Sequence, residues 1–184
     1  MPVNLKSLRM QYLKIPERRI HILQDKEGKI KKEIEEYTRT IIEFDDTSVS
    51  IEHAENGDAL DELRARNVIL AIGRGFSYID SLALLSDDTV LEVISLSDYA
   101  KGKNQLMRIR GRIIGREGSS KNILEKSSNC KIAVCGKTVS IIGKYENVSA
   151  ARESIMMLVH GSTHGASYRA IERVARRRAM QFKE

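Results

Sequence analysis

Two stretches at an offset of 90 residues carry the same pattern, and no other feature narrows the choice of fold as much. With Gly28 set against Gly118, GKIKKEIEEYT (28–38) runs beside GSSKNILEKSS (118–128). This pairs Lys31 with Lys121, Ile34 with Leu124 and Glu35 with Glu125. In the same register SVSI (48–51) falls beside TVSI (138–141). A period near 90 residues is too long for a solenoid repeat and suits a duplicated small domain. The 184 residues, 41% of them hydrophobic, are enough to give each copy a core of its own.

Each copy reads in the same order. In the first, YLKI (12–15) predicts a leading strand, then a helix from Glu17 to Gln24, the turn DKEG (25–28) and a charged helix from Lys29 to Tyr37. TIIEF (40–44) and SVSIEHA (48–54) predict two strands around a turn holding Asp45 and Asp46. A helix over 58–73 follows, with Asp58 as its N-cap and Gly73 as its stop. In the second copy TVLEVISL (89–96) predicts the leading strand, with helices over 104–115 and 119–127 on either side of a turn. KIAVCG and KTVSIIG predict a hairpin turning at Gly136 and Lys137, and VSAARESIMMLVHG (148–161) a closing helix. RGFSYIDSLALLSDD (74–88) lacks the composition of a flexible linker and reads as a short helical connector. The domains expected are 1–74, a connector at 75–88, and 89–184.

Charge is distributed unevenly between the copies. The chain carries a formal +6, but residues 1–90 sum to −4 and residues 91–184 to +10, which points to the second half for contacts with an anionic partner. No stretch approaches the roughly 20 apolar residues of a membrane span, and MPVNLKSLRMQYLKIPE has no signal-peptide core. A cytoplasmic protein with no membrane partner is expected. Two cysteines, Cys130 and Cys135, make no disulfide framework, in keeping with a reducing compartment.

The second turn, GRIIGREG (111–118), carries the chemistry. The order strand, helix, GxxG, helix, strand, strand, helix with RIIGREGSSKNIL at the turn resembles the type I KH domain, whose GxxG loop clamps about four nucleotides of a single strand. Gly115 and Gly118 have no Cβ, so a sugar-phosphate backbone can approach closely. The helix opening at Ser119 presents free N–H groups and its positive dipole end. Arg110, Arg112, Arg116, Lys121 and Lys103 add mobile charge. Bases would lie in an apolar groove walled by the two helices, with Ile114, and by the strand carrying Ile132. With three Phe and no Trp, stacking contributes little. Two glycines alone would make only a tight helix turn. The flanking Ile113, Ile114, Ile123 and Leu124, the paired strands and the basic surroundings favour the phosphate reading.

Three segments together, RGRIIGREG, GKTVSIIG (136–143) and GSTHGASYRAIER (161–173), resemble archaeal members of the small-subunit pre-rRNA processing family called partner of Nob one. The resemblance spans essentially the whole chain. It implies an α+β fold of two tandem type I KH-like domains (β-α-α-β-β-α), packed together, with a C-terminal basic helix. It also implies a non-enzymatic, cofactor-free factor that binds single-stranded RNA near the 3′ end of small-subunit rRNA. Such a factor assists a PIN-domain endonuclease among other ribosome assembly factors. Carried over by residue, the RNA loop is Gly115, Arg116, Glu117 and Gly118. The first copy departs from the pattern, since Asp25 stands where the second has Gly115 and Gln24 where it has Ile114. A carboxylate there repels a phosphate, so the first copy is expected to be a degenerate KH scaffold with weak or absent RNA binding, its acidic surface facing a protein or the second copy. The tail from Ser167 to Glu184 holds six basic residues against two acidic ones and reads as a helix, either solvated, on phosphate or on a ribosomal partner.

Other readings fare worse. GKT (136–138) ends like a Walker A loop, but Lys131 stands where its first Gly belongs and the segment ends a strand. Cys130 and Cys135 fall on opposite faces of a strand, and the glycines beside His160 and His164 argue for a loop and not a helical zinc pair. A nuclease needs clustered carboxylates for metal ions, whereas the acidic residues here are dispersed. The alternative from another class is a KH-fold interaction module acting in translation initiation or an exosome-like complex.

Overall fold

Apolar alternation along two segments of the first half and two of the second makes one-sided hairpins, and each hairpin recruits a third strand. The structure, a computed structural model, describes residues 11–24, 28–45 and 48–181. The chain divides into two compact units, Met1–Ser86 and Asp87–Glu184. The first contains β1 (Gln11–Lys14), α1 (Glu17–Leu23), α2 (Lys29–Thr38), β2 (Thr40–Phe44), β3 (Ser48–His53), α3 (Ala59–Gly73) and the short α4 (Tyr78–Ser81), which runs into a 3-10 turn at Leu82–Leu85. The second contains β4 (Thr89–Ser95), α5 (Lys103–Ile114), α6 (Ser119–Ser128), β5 (Lys131–Cys135), β6 (Thr138–Lys144), α7 (Tyr145–Val159) and α8 (His164–Gln181). Both sheets are antiparallel, with the last strand of each unit in the middle: β1-β3-β2 and β4-β6-β5. Each unit is thus a β-α-α-β-β-α fold with one helix added. No helix among the described residues is long and apolar enough to cross a membrane.

The offset of 90 survives as chemistry. Leu23 and Ile113, Ile34 and Leu124, Ile42 and Ile132, Val49 and Val139, and Ile51 and Ile141 are all buried in their respective units. Arg39 and Asn129 end α2 and α6 in the left-handed region, at φ 48° and 53°. Thr38 and Ser128 donate back to the carbonyls of Ile34 and Leu124. Glu35 Oε1 accepts the N–H of Ile42 at 2.8 Å, and Glu125 Oε1 accepts that of Ile132 at 2.7 Å. In both units, then, a glutamate on the second helix fastens the outer strand.

The repeat also runs past the third helix, at an offset of 86. Gly75 and Gly161 both have positive φ, Ser77 Oγ accepts from Asp80 N–H at 3.0 Å, and Thr163 Oγ1 accepts from Ala166 N–H at 3.3 Å. Ser81 and Ser167 are both fully buried. Residues 78–85, expected to form a connector, are therefore the counterpart of the start of α8 and fall within the first unit. An arginine fork recurs as well. Arg19 donates from Nε to Ile72 O (3.0 Å) and from a terminal nitrogen to Phe76 O (3.2 Å). Arg112 does the same to Leu158 O (3.0 Å) and Ser162 O. Cations at a helix C-terminus are favoured by its dipole. Helix α7 begins three residues earlier than expected, at Tyr145, with Glu146 in its first turn.

Candidate nucleic-acid interface

Helix α5 buries Ile109 and Ile113 and leaves its opposite face open. On that face stand Met107, 67% exposed, then Gly111 and the half-buried Ile114, at helical spacing. Gly111 sits mid-helix, where glycine costs about 0.5–1 kcal/mol relative to alanine, although an added Cβ would meet no atom within 4 Å. The glycine thus leaves open space on this face of the helix. Gly111→Ala is expected to raise the stability of the second unit by that amount and weaken ligand binding, as read by thermal unfolding and RNA titration on one preparation.

The helix ends where Gly115 turns to φ 75°, ψ 176°, with its N–H on Gly111 O at 2.8 Å. Arg116–Gly118 make one 3-10 turn in which Glu117 is left-handed (φ 52°) and Gly118 N–H reaches Gly115 O at 3.3 Å. Gly118 (φ 79°) then caps α6, whose first turn receives no side-chain cap and holds no acidic residue. The Ser119 N–H is taken by the carbonyl of Arg116, whereas the N–H groups of Ser120 and Lys121 receive no side-chain cap and, with the positive dipole end, suit an anion. Arg116, Glu117 and Ser119 are exposed, and the Arg116 guanidinium has no hydrogen-bond or ion-pair partner among the described residues. Gly28 caps α2 in the same way (φ 63°), while the first copy's expected repulsive residue, Asp25, lies outside the described residues.

The remaining residues expected at the site divide. Arg110 is half-buried with an unpartnered Nε and keeps charge near the turn. Lys121 stands in the first turn of α6 but is shared with Glu125 Oε2 at 3.0 Å. Arg112 is a correction: its guanidinium is spent on the carbonyls of Leu158 and Ser162, so it supplies no mobile charge. Lys103 begins α5, about 18 Å along the axis from Gly115, and does not surround the turn. Ile132 is a second correction, because its side chain is 2% exposed in the core and does not line a groove. What its strand offers is an edge. Since Ile132 N–H points off the sheet to Glu125, strand alternation turns Val134 N–H to the same outer side of β5. Ile123 on α6, 40% exposed, is a further apolar side chain left open on the second of the two helices that flank the turn. Met107 and Val134 escaped sequence reasoning. The i, i+4, i+7 spacing of Met107, Gly111 and Ile114 was the available signal for the first.

The histidines part ways. His160 packs edge-on to Tyr99, and His164 Nε2 bonds the carbonyl of Arg112 at 2.9 Å. Gly136 and Lys137 turn the β5–β6 hairpin, with no helix following as a Walker A loop requires.

The profile of the second KH domain of PNO1, described as a eukaryotic-type, type I KH domain, matches residues 90–176. A KH domain-containing protein of Methanocaldococcus jannaschii is 40% identical over 166 residues, 89% of this chain and 73% of its own. The chain belongs to the PNO1/Dim2 family of KH-domain proteins. Dim2p of Pyrococcus horikoshii is 42% identical, with a TM-score of 0.84 over 89% of this chain and 98% of that one. The same protein has been solved in a complex of a/eIF2alpha, aDim2p and rRNA, with a TM-score of 0.83 over 89% of this chain and 92% of that one. The pre-rRNA-processing protein PNO1 of Chaetomium thermophilum is 34% identical over 112 residues, 59% of this chain and 43% of its own, so the chain spans less than half of that fungal PNO1. The profile match contains the whole Gly115–Gly118 turn together with α5, α6 and β5.

Proposed function

We propose that this PNO1/Dim2 family member binds single-stranded RNA from the 3′ region of small-subunit rRNA and acts, without catalysing a covalent change, in pre-rRNA processing. The observation that carries the proposal is the Gly115–Gly118 turn, which opens onto the uncapped start of α6. The turn takes one or more phosphates on the α6 N–H groups, with Arg116 as the free cation beside it. The bases lie over Met107, Gly111, Ile114 and Ile123 and reach the backbone edge of β5. The rRNA complex of the 42% identical Dim2p supports this reading. In the family context, the bound RNA is delivered to the PIN-domain endonuclease that trims it. The presence of a/eIF2alpha in the same complex favours a translation initiation factor as a protein partner, and the first unit, with 13 basic against 15 acidic residues in Met1–Ser86, suits a docking role better than an RNA contact.

Titration of a labelled oligonucleotide copying the rRNA 3′ end, at several salt concentrations, tests the RNA claim. Affinity should fall linearly in log-log form with salt, and Arg116→Ala should reduce the slope by about 0.7, the value for one phosphate contact on a single strand. A scrambled oligonucleotide binding as tightly as the rRNA sequence would overturn the rRNA specificity, and an unchanged slope in Arg116→Ala would remove the turn from the reading.

A further inference from the structure

The last four carbonyls of a helix have no N–H partner inside it. At the end of α5 the carbonyl of Gly111 is taken by Gly115 N–H, but that of Arg112 is met by His164 Nε2 at 2.9 Å. A carbonyl oxygen only accepts, so Nε2 carries the proton. His164 is the first residue of α8, and α8 is firmly seated. The Ser167 hydroxyl meets Ser154 Oγ at 2.5 Å and donates to Ser154 O at 3.0 Å, and Ala170 and Ile171 are buried. Arg112, three residues before Gly115, is therefore held twice to the α7–α8 junction, by its side chain on Leu158 and Ser162 and by its carbonyl on His164.

The chain supplies its own control. The arginine fork also occurs in the first unit, where the turn reads DKEG, so the fork belongs to the fold. The counterpart of His164 at the offset of 86 is Tyr78, which reaches away to Glu33 Oε2 at 2.5 Å. Burial and that hydrogen bond push the Tyr78 phenol well above its ordinary pKa, so it remains a donor to Glu33. Among the described residues, the imidazole-to-carbonyl bond is found only beside the intact GxxG turn.

We propose that His164 is a positioning residue for RNA binding. It fixes the final turn of α5, so that the chain leaves the helix at Gly115 in the one direction that opens the N–H groups of α6 to a phosphate. It touches no RNA itself. The basic helix α8 thereby acts on the interface through its first residue, as a strut for the turn. This inference rests on the RNA-binding reading above.

The test compares His164→Ala and His164→Gln with the unaltered protein; glutamine keeps an N–H at the reach of Nε2. His164→Ala should weaken RNA binding about three- to tenfold, the worth of one hydrogen bond. The slope of affinity against salt should stay unchanged, because no phosphate contact is lost. His164→Gln should restore affinity to within about twofold, on the same hydrogen-bond accounting. Amide exchange at Gly115, Arg116 and Gly118 should quicken in His164→Ala and return in His164→Gln. Unaltered affinity in His164→Ala, a reduced salt slope, or a glutamine variant as weak as the alanine one overturns the proposal. If the unaltered protein itself binds no RNA, the functional reading fails, and amide exchange alone then decides whether His164 holds the turn.

Discussion

Gly115→Ala is expected to destabilise the second unit by about 3 kcal/mol and to abolish RNA binding, whereas Gly118→Ala costs only about 1 kcal/mol of stability and acts mainly on binding. The two glycines of the motif look equivalent in the sequence and differ in their surroundings. A Cβ on Gly115 would lie 2.6 Å from the backbone nitrogen of Ser120 and 2.7 Å from its Cβ, distances that only a shift of α6 can relieve. The backbone there, at φ 75° and ψ 176°, is open to glycine alone. At Gly118 a Cβ would meet nothing within 4 Å, and φ 79° with ψ 6° is a left-handed conformation that other residues adopt at modest cost. Gly115 thus makes the turn, and Gly118 keeps the mouth of α6 clear. Thermal unfolding should separate them, with a drop on the order of 10–20 °C for the first and only a few degrees for the second. RNA titration should find both impaired. Equal destabilisation by the two variants would contradict this division.

The duplicated architecture was legible because its evidence is local: a glycine that caps a helix, an apolar spacing of three or four, and an alternating strand. These fix the type and order of the elements from β1 to α7 to within a few residues. Continuation of the repeat into α4 and α8 was harder to see, because the offset changes from 90 to 86 between the second hairpin and the third helix. GFSYIDS (75–81) and GSTHGAS (161–167) do share glycine, a hydroxyl cap and a final serine, a signal that only a second register exposes. The fates of Arg112 and Ile132 could not be read at all. An arginine two residues from a helix end looks the same whether it faces solvent or forks onto another helix's carbonyls, and only the packing of α7 decides. Likewise the strand holding Ile132 does border the site, yet alternation sends that side chain inward and leaves the backbone edge outside.

That edge depends on Glu125, and its two oxygens are expected to answer to different substitutions. Glu125→Ala removes the acceptor of Ile132 N–H, a strand donor in a largely buried position, and should cost about 1–3 kcal/mol. Glu35→Ala should cost a similar amount in the first unit, because Glu35 holds Ile42 N–H in the same geometry. Amide exchange resolves the two losses, each confined to strands of its own sheet. Glu125→Gln keeps an oxygen for Ile132 and so preserves the strand. It also removes the charge that draws Lys121 down the helix at 3.0 Å, an i, i+4 pair worth only about 0.3–0.5 kcal/mol to stability. With one fewer carboxylate beside the mouth of α6 and Lys121 released, RNA affinity should rise at low salt and the salt dependence should steepen. A Glu125→Gln protein as unstable as Glu125→Ala would mean that the ion pair, and not the strand bond, is what the repeat preserves. The pairing of Glu35 with Glu125, which first betrayed the duplication, marks this strand fastening. Lys31 pairs with Glu35 in the first unit as Lys121 does with Glu125 in the second, so what couples this fastening to RNA is the GREG turn that precedes α6 and not the lysine.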